Sequence, residues 1–169
     1  FINVLLFAIT AMLIFIVFSN IQSFVGHSKW YLSLPFITAL LFIAHPIHTE
    51  VVANIKSRDE LMALLFALLA ISFILKYLSK PQFKFLVLNG VMMFLALLSK
   101  ENTITFFAVM PLVVYFASSP STFSKRNVAK EYFKILAPVL IACISYLLLS
   151  NYLLGKNNPN WRINIFNDG

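Results

Sequence analysis

Six apolar stretches divide the chain, at 1–18, 31–44, 61–78, 83–98, 103–117 and 135–154, with short polar segments between them. A membrane-crossing helix needs ~20 mainly apolar residues, within a range of ~17–25. The first, third and sixth stretches meet that length; the other three are short and depend on capping turns and flanking polar residues to complete a crossing. The pattern predicts an all-α, polytopic transmembrane bundle of about six helices. Helix punctuation supports the divisions. Ser57-Arg58-Asp59-Glu60 has the form of a capping box, with a Ser hydroxyl to accept an orphan N–H and a Glu three residues on to reach back, and it predicts a helix starting at Ser57. The two acids also suit the positive end of a helix. Ser79-Lys80-Pro81-Gln82 repeats the signal before the fourth stretch, with Pro81 expected in a first turn, where its missing N–H costs nothing. Asn89-Gly90 would mark a turn in water. Inside an apolar stretch it reads instead as a place where helices pack closely, because small residues let backbones approach in lipid.

Composition agrees with this pattern. Of 169 residues, 60% are hydrophobic and 11% charged, with a mean hydropathy of +0.87. Soluble domains sit near 45–50% apolar and about 25% charged, so an ordinary soluble domain is excluded, and a disordered chain with it. Cys143 is the only cysteine, which excludes a disulfide framework; mid-stretch, it reads as a small packing residue. The chain begins at Phe1 inside an apolar run and ends at Asn167-Asp168-Gly169 in a polar segment, as expected of a piece of a longer protein.

The net charge of +7 changes meaning once the charges are placed. With six crossings, one face receives Lys29, Lys76, Lys80, Lys84, Lys125, Arg126, Lys130 and Lys134 against the single acid Glu131. The other receives Lys56, Arg58, Lys100, Lys156 and Arg162, matched by Glu50, Asp59, Glu60, Glu101 and Asp168. All of the net charge therefore lies on one face, which the positive-inside rule makes cytoplasmic. The charge is a topology signal, and a nucleic-acid partner is not expected. The segments 45–60, 99–102 and 155–169 are expected on the extracytoplasmic side of a bacterial inner membrane, or of an endoplasmic reticulum membrane in a eukaryote.

The polar residues of that outer face are concentrated at segment ends: His45, His48, Glu50, Asn54, Lys56 and 57–60 in one segment, and Ser99-Lys100-Glu101-Asn102 in a tight turn. Ionisable groups at membrane depth are costly unless paired, and tend to be functional. Glu50, Asn54 and Arg58 are spaced to share one face of a helix, which predicts an interfacial amphipathic helix leading into the third stretch. A purely structural reading pairs Glu50 with Arg58, Lys56 with Glu60, and Lys100 with Glu101. His45 and His48 with Glu50 could hold a divalent ion, but His-Pro-Ile-His is not the helical His-Glu-x-x-His of a zinc hydrolase, and neither metal nor cofactor is expected. No nucleophile elbow or phosphate-binding glycine loop is present in the sequence. The residues alone leave an enzyme acting on a lipid-linked substrate, a transporter or flippase, and a non-catalytic membrane anchor of an interaction module. Transporters usually place polar groups near the midplane; here the charges lie at or near segment ends, which favours chemistry at the membrane surface.

The run His45-Pro46-Ile47-His48-Thr49-Glu50-Val51-Val52-Ala53, followed by Ser57-Arg58-Asp59-Glu60-Leu61 and, downstream, Ser99-Lys100-Glu101-Asn102-Thr103-Ile104-Thr105, resembles the transmembrane and tetratricopeptide-repeat O-mannosyltransferases and their bacterial relatives. Asn3-Val4-Leu5-Leu6 fits a helix start in that family, and Asn158-Pro159 a later outer loop. The resemblance implies a GT-C-type membrane glycosyltransferase that takes a sugar, mannose in the named family, from a polyisoprenyl phosphate to a protein hydroxyl outside the cytoplasm. Residues 1–169 would then be part of one such domain, with the family's acidic first outer loop upstream of Phe1 and the C-terminal repeats downstream. In this frame Lys100 and Arg58 are candidates to hold the lipid phosphate, where negative charge builds as the glycosidic bond breaks. His45 and His48 would orient the sugar or the acceptor. The general base is expected in the upstream loop, with Glu50 or Glu101 as the candidates in this stretch. The implied partners are membrane lipid, the lipid-linked donor and an acceptor protein.

Overall fold

A computed structural model describes residues 2–22, 33–46, 48, 54, 57–117 and 128–157, and these are helical with no strand among them. The helices are α1 (Ile2–Gln22), α2 (Leu34–Ala44), α3 (Arg58–Ser79), α4 (Phe83–Ser99), α5 (Phe106–Ala117) and α6 (Val128–Asn157), with a 3₁₀ turn at Glu101–Thr105 leading into α5. Each of the six apolar stretches is thus a helix. Three spans are long and apolar enough to cross a membrane, Ile2–Ile21, Arg58–Ser79 and Tyr132–Leu153. They correspond to the first, third and sixth stretches. The protein is an integral-membrane helical bundle.

Helix α3 is central: 56% of its span is buried, against 28% for α1 and 22% for α6. It packs on α1 and α4; α2 lies against α1, and α6 against α4 and α5. The larger core joins Ile71, Ile74 and Leu75 of α3 to Met93 and Leu97 of α4, Met110 and Val114 of α5, and Ile135 and Val139 of α6. A smaller cluster of Ile14, Ala39 and Leu68 ties α1 and α2 to α3. Met12, Ile141 and Leu148 are about two-thirds exposed, as are other apolar side chains of α1 and α6. Contiguous apolar surface of this kind is rare on a soluble monomer, and it suits lipid contact.

Hydroxyls within the helices satisfy themselves locally. Thr10, Ser72, Ser79 and Ser99 each donate to the carbonyl four residues earlier, at 2.8–3.1 Å. Asn89 and Gly90 are a packing site, not a turn. A Cβ placed on Gly90 would lie 3.0 Å from Cβ and 3.1 Å from O of Pro138, so only glycine lets α4 approach α6 this closely. Pro138 cannot donate to the carbonyl of Lys134. Asn89, fully buried, extends its amide to the next carbonyl, that of Ile135, in a long contact of 3.5 Å.

Two expectations about helix starts are corrected. Ser57 is the N-cap of α3, where the motif places it, but it makes no side-chain capping bond, and the helix itself begins at Arg58. The Glu60 N–H is taken by the Asp59 carboxylate at 3.0 Å, and the Glu60 side chain, which the capping box would turn back on the chain, reaches across to Lys100. Pro81 is not in the first turn of α4 but precedes its N-cap, Gln82. The predicted interfacial helix over Glu50–Arg58 falls largely outside the described residues.

Candidate functional site

The start of α1, the end of α2, the start of α3 and the junction of α4 with the 3₁₀ turn meet at one end of the bundle, here termed the motif end. The contacts of Asn3 with Asn54 and Arg58, and of Lys100 with Glu60, tie these termini together. The opposite end, with Lys76, Lys80 and Lys84 at the α3–α4 turn, is the basic end. Lys76 and Lys84 lie over the rings of Phe73 and Phe85, 5.2 and 5.1 Å from the centroids.

At the motif end, Asn3 bridges two segments. Its amide donates to the carbonyl of Asn54 at 2.9 Å, and its Oδ1 accepts from Nε of Arg58 at 3.2 Å. Arg58 is thereby fixed in direction by a neutral partner. The bond engages Nε and leaves the two terminal guanidinium nitrogens outside it, and Arg58 has no ion pair among the described residues. Asn3 was legible in the sequence only as a helix start; a single amide in the first turn of an apolar helix is the signal that marked it as more.

Lys100 is the C-cap of α4, and its ammonium pairs with the Glu60 carboxylate in the first turn of α3. The self-neutralising Lys100–Glu101 turn is therefore corrected: the partner is forty residues away in sequence. The hydrogen bond that Lys100 donates to Glu60, with smaller contributions from the Glu60 and Asp59 charges and against some desolvation, holds the Lys100 pKa above its ordinary value. Glu101 opens the 3₁₀ turn with its side chain exposed. The turn is anchored by Thr103, which is buried and donates to the Ala96 carbonyl at 3.3 Å.

His45 caps the end of α2 and is exposed, whereas His48 is half-buried. The His48 ring lies 4.3 Å from that of Phe42 and 5.5 Å from Phe7, with His45 edge-on at 5.9 Å. Burial, and then the His45 charge, lowers the His48 pKa, so the imidazole is neutral at neutral pH. Glu50, Lys56 and Asn158-Pro159 lie outside the described residues. No group of three or more His, Cys, Asp or Glu side chains suited to a metal is present among the described residues.

The structure thus joins the two motifs that the sequence separates, 57–61 and 99–105, through Glu60 and Lys100. A mouse protein O-mannosyl-transferase, TMTC1, is 40% identical over 98 residues, covering 52% of this chain and 10% of the mouse protein. The human TMTC1 is 60% identical over 37 residues, covering 22% of this chain and 4% of its own. These partial matches support the O-mannosyl-transferase family. A Caenorhabditis elegans protein O-mannosyl-transferase, F38B6.6, adds 38% identity over 56 residues, 33% of this chain and 8% of its own. The chain spans a tenth or less of the length of these mannosyl-transferases. No family model matches the chain, and no solved structure matches it.

Proposed function

We propose that the chain is part of the membrane domain of a GT-C-type protein O-mannosyltransferase, related to bacterial members of that group. It would move mannose from a polyisoprenyl-phosphate donor to a protein hydroxyl on the extracytoplasmic side. The observation that carries this reading is the Lys100–Glu60 pair, which draws the two family-like motifs into one polar cluster at the end of an otherwise apolar bundle. The cluster is built to meet an anion at the membrane surface. Arg58, held by Asn3 and without an acidic partner among the described residues, is the better phosphate ligand, because a guanidinium can grip two phosphate oxygens at once. Lys100, already neutralised by Glu60, adds a second cation nearby and keeps its proton under all physiological conditions.

During transfer, the sugar–phosphate bond breaks, negative charge gathers on the departing lipid phosphate, and Arg58 stabilises it. The acceptor hydroxyl must lose its proton to a carboxylate. Glu101, exposed beside Lys100, is a candidate within the described residues; Glu50 is another, and an acidic loop upstream of Phe1 is the expected main base. His45, exposed at the end of α2 on the same end of the bundle, would hold a sugar hydroxyl. His48, neutral and tilted against the rings of Phe42 and Phe7, fixes the α2 end against α1. No metal or cofactor enters this scheme. Acceptor recognition would fall to tetratricopeptide repeats in the longer protein.

The test uses the full-length protein, with its flanking sequence, reconstituted in vesicles with mannose-labelled polyisoprenyl phosphate and an acceptor protein. Label appearing on the acceptor supports the proposal. Label crossing the bilayer on the intact lipid, with none on protein, would identify a flippase.

A further inference from the structure

A groove of about 960 Å³ runs between α4 and α6, starting at the basic end. Tyr77, Pro81, Phe83 and Phe133 surround its mouth, with Lys134 beside them, and Phe94 and Ser145 lie at its far end. Its walls are overwhelmingly apolar. Its floor is the close contact of α4 with α6 at Gly90 and Pro138, with Ala137 and Ala142 also lining it.

The length of the groove suits an acyl chain. From Phe83 to Phe94 along α4 is ~16 Å at a rise of ~1.5 Å per residue. That is about half of the ~30 Å hydrocarbon core, the depth of one leaflet. The groove starts at the basic end, follows about two-thirds of α4, and ends near Phe94 and Ser145. The charge points the same way. Lys134 lines the mouth, Lys80 and Lys84 flank Pro81 and Phe83 in sequence, and Phe83 and Phe133 are largely exposed aromatics at the same level. Basic pockets between membrane helices are recognition sites for anionic lipid headgroups.

We propose that this groove binds an anionic glycerophospholipid of the leaflet at the basic end, with an acyl chain along α4 and its phosphate at Lys134. The site is separate from the motif end, since it opens at the opposite end of α4 from Lys100. Loss of mannosyl transfer would leave it untouched.

The experiment is photo-labelling of the full-length protein in phosphatidylcholine nanodiscs. A small fraction of phosphatidylglycerol carrying a diazirine in its acyl chain is compared with phosphatidylcholine carrying the same chain. The phosphatidylglycerol probe is expected to label Val87, Val91 or Ile141 several-fold more than the phosphatidylcholine probe, and unlabelled phosphatidylglycerol should compete. Lys134→Gln should remove that preference. Val91→Trp, which fills the trough without touching the charge, should reduce labelling by both probes at unchanged thermal stability. Equal labelling by the two probes, indifferent to competition, would overturn the proposal in favour of bulk lipid. Labelling confined to exposed positions such as Met12, with none in the groove, would overturn it in favour of a covering helix. The wild-type comparison of probes decides the matter even if a variant fails to fold.

Discussion

Lys100, at the end of α4, is paired with Glu60, in the first turn of α3, and this contact joins two sequence motifs that are forty residues apart. Both side chains are substantially exposed, 31% and 46%. Exposed pairs contribute little to stability, and the role proposed for this one is to set the relative positions of Arg58 and Glu101.

That role predicts a specific pattern in a double-mutant cycle. Lys100→Met and Glu60→Gln should each lower transfer in the full-length protein while changing thermal stability little. The double variant should lose less than the product of the two single losses. Independent, multiplicative losses would show that the pair does not act as a unit.

The pH dependence of the pair has a definite sign. The Lys100 pKa is raised above its ordinary 10.5, chiefly by the hydrogen bond it donates to Glu60. A group whose pKa is raised on folding contributes stability that is complete below the unfolded value and is lost as pH rises through the folded value. The difference in thermal stability between wild type and Lys100→Met should therefore stay constant through neutral and mildly alkaline pH. It should close only above the ordinary lysine range. A difference that closes between pH 7 and 9 would place the lysine outside the pair.

Much of the fold is written in the apolar pattern, because crossing a membrane imposes a minimum length on each stretch and leaves little else free. The six helices, the sufficiency of the first, third and sixth, and the close packing at Asn89-Gly90 all follow from it. Partner choice does not. Ser57-Arg58-Asp59-Glu60 has the local chemistry of a capping box, yet Glu60 is drawn to Lys100 across the bundle. Local spacing gives Lys100 to Glu101, but tertiary placement gives it to Glu60. Asn3, one amide in a run of apolar residues, takes its meaning only from Arg58 and Asn54, which are more than fifty residues away. The motifs named the residues of the cluster, and only the packing of helix ends could connect them.

Gly90 provides a test of the packing itself. A side chain there meets Pro138 at 3.0–3.1 Å, so α4 and α6 must move apart to admit one. Overpacking of this kind costs ~1–3 kcal/mol. Gly90→Val should lower the thermal midpoint of the detergent-solubilised protein, with a loss exceeding that of Gly90→Ala, where better helix propensity offsets part of the strain. A valine variant as stable as wild type would mean that the two helices are not in close contact.

The charge asymmetry predicts orientation. In a Cys143→Ala background, a membrane-impermeant thiol reagent applied from outside should modify a cysteine at Ser57 and not one at Lys80. The reverse result would put the motif end in the cytoplasm and remove it from any extracytoplasmic donor.

The central claim is that Arg58, aimed by Asn3, holds the phosphate of a lipid-linked mannose. Its most direct test is the donor dependence of mannosyl transfer by the full-length protein and its Arg58→Gln variant, with protein level and thermal stability measured alongside. Losing a charged hydrogen bond worth ~1.5–3 kcal/mol corresponds to roughly a tenfold to hundredfold drop in kcat/KM for the donor, and Asn3→Ala should show a smaller drop of the same kind. A well-folded Arg58→Gln variant with the wild-type kcat/KM for the mannosyl lipid would contradict the account.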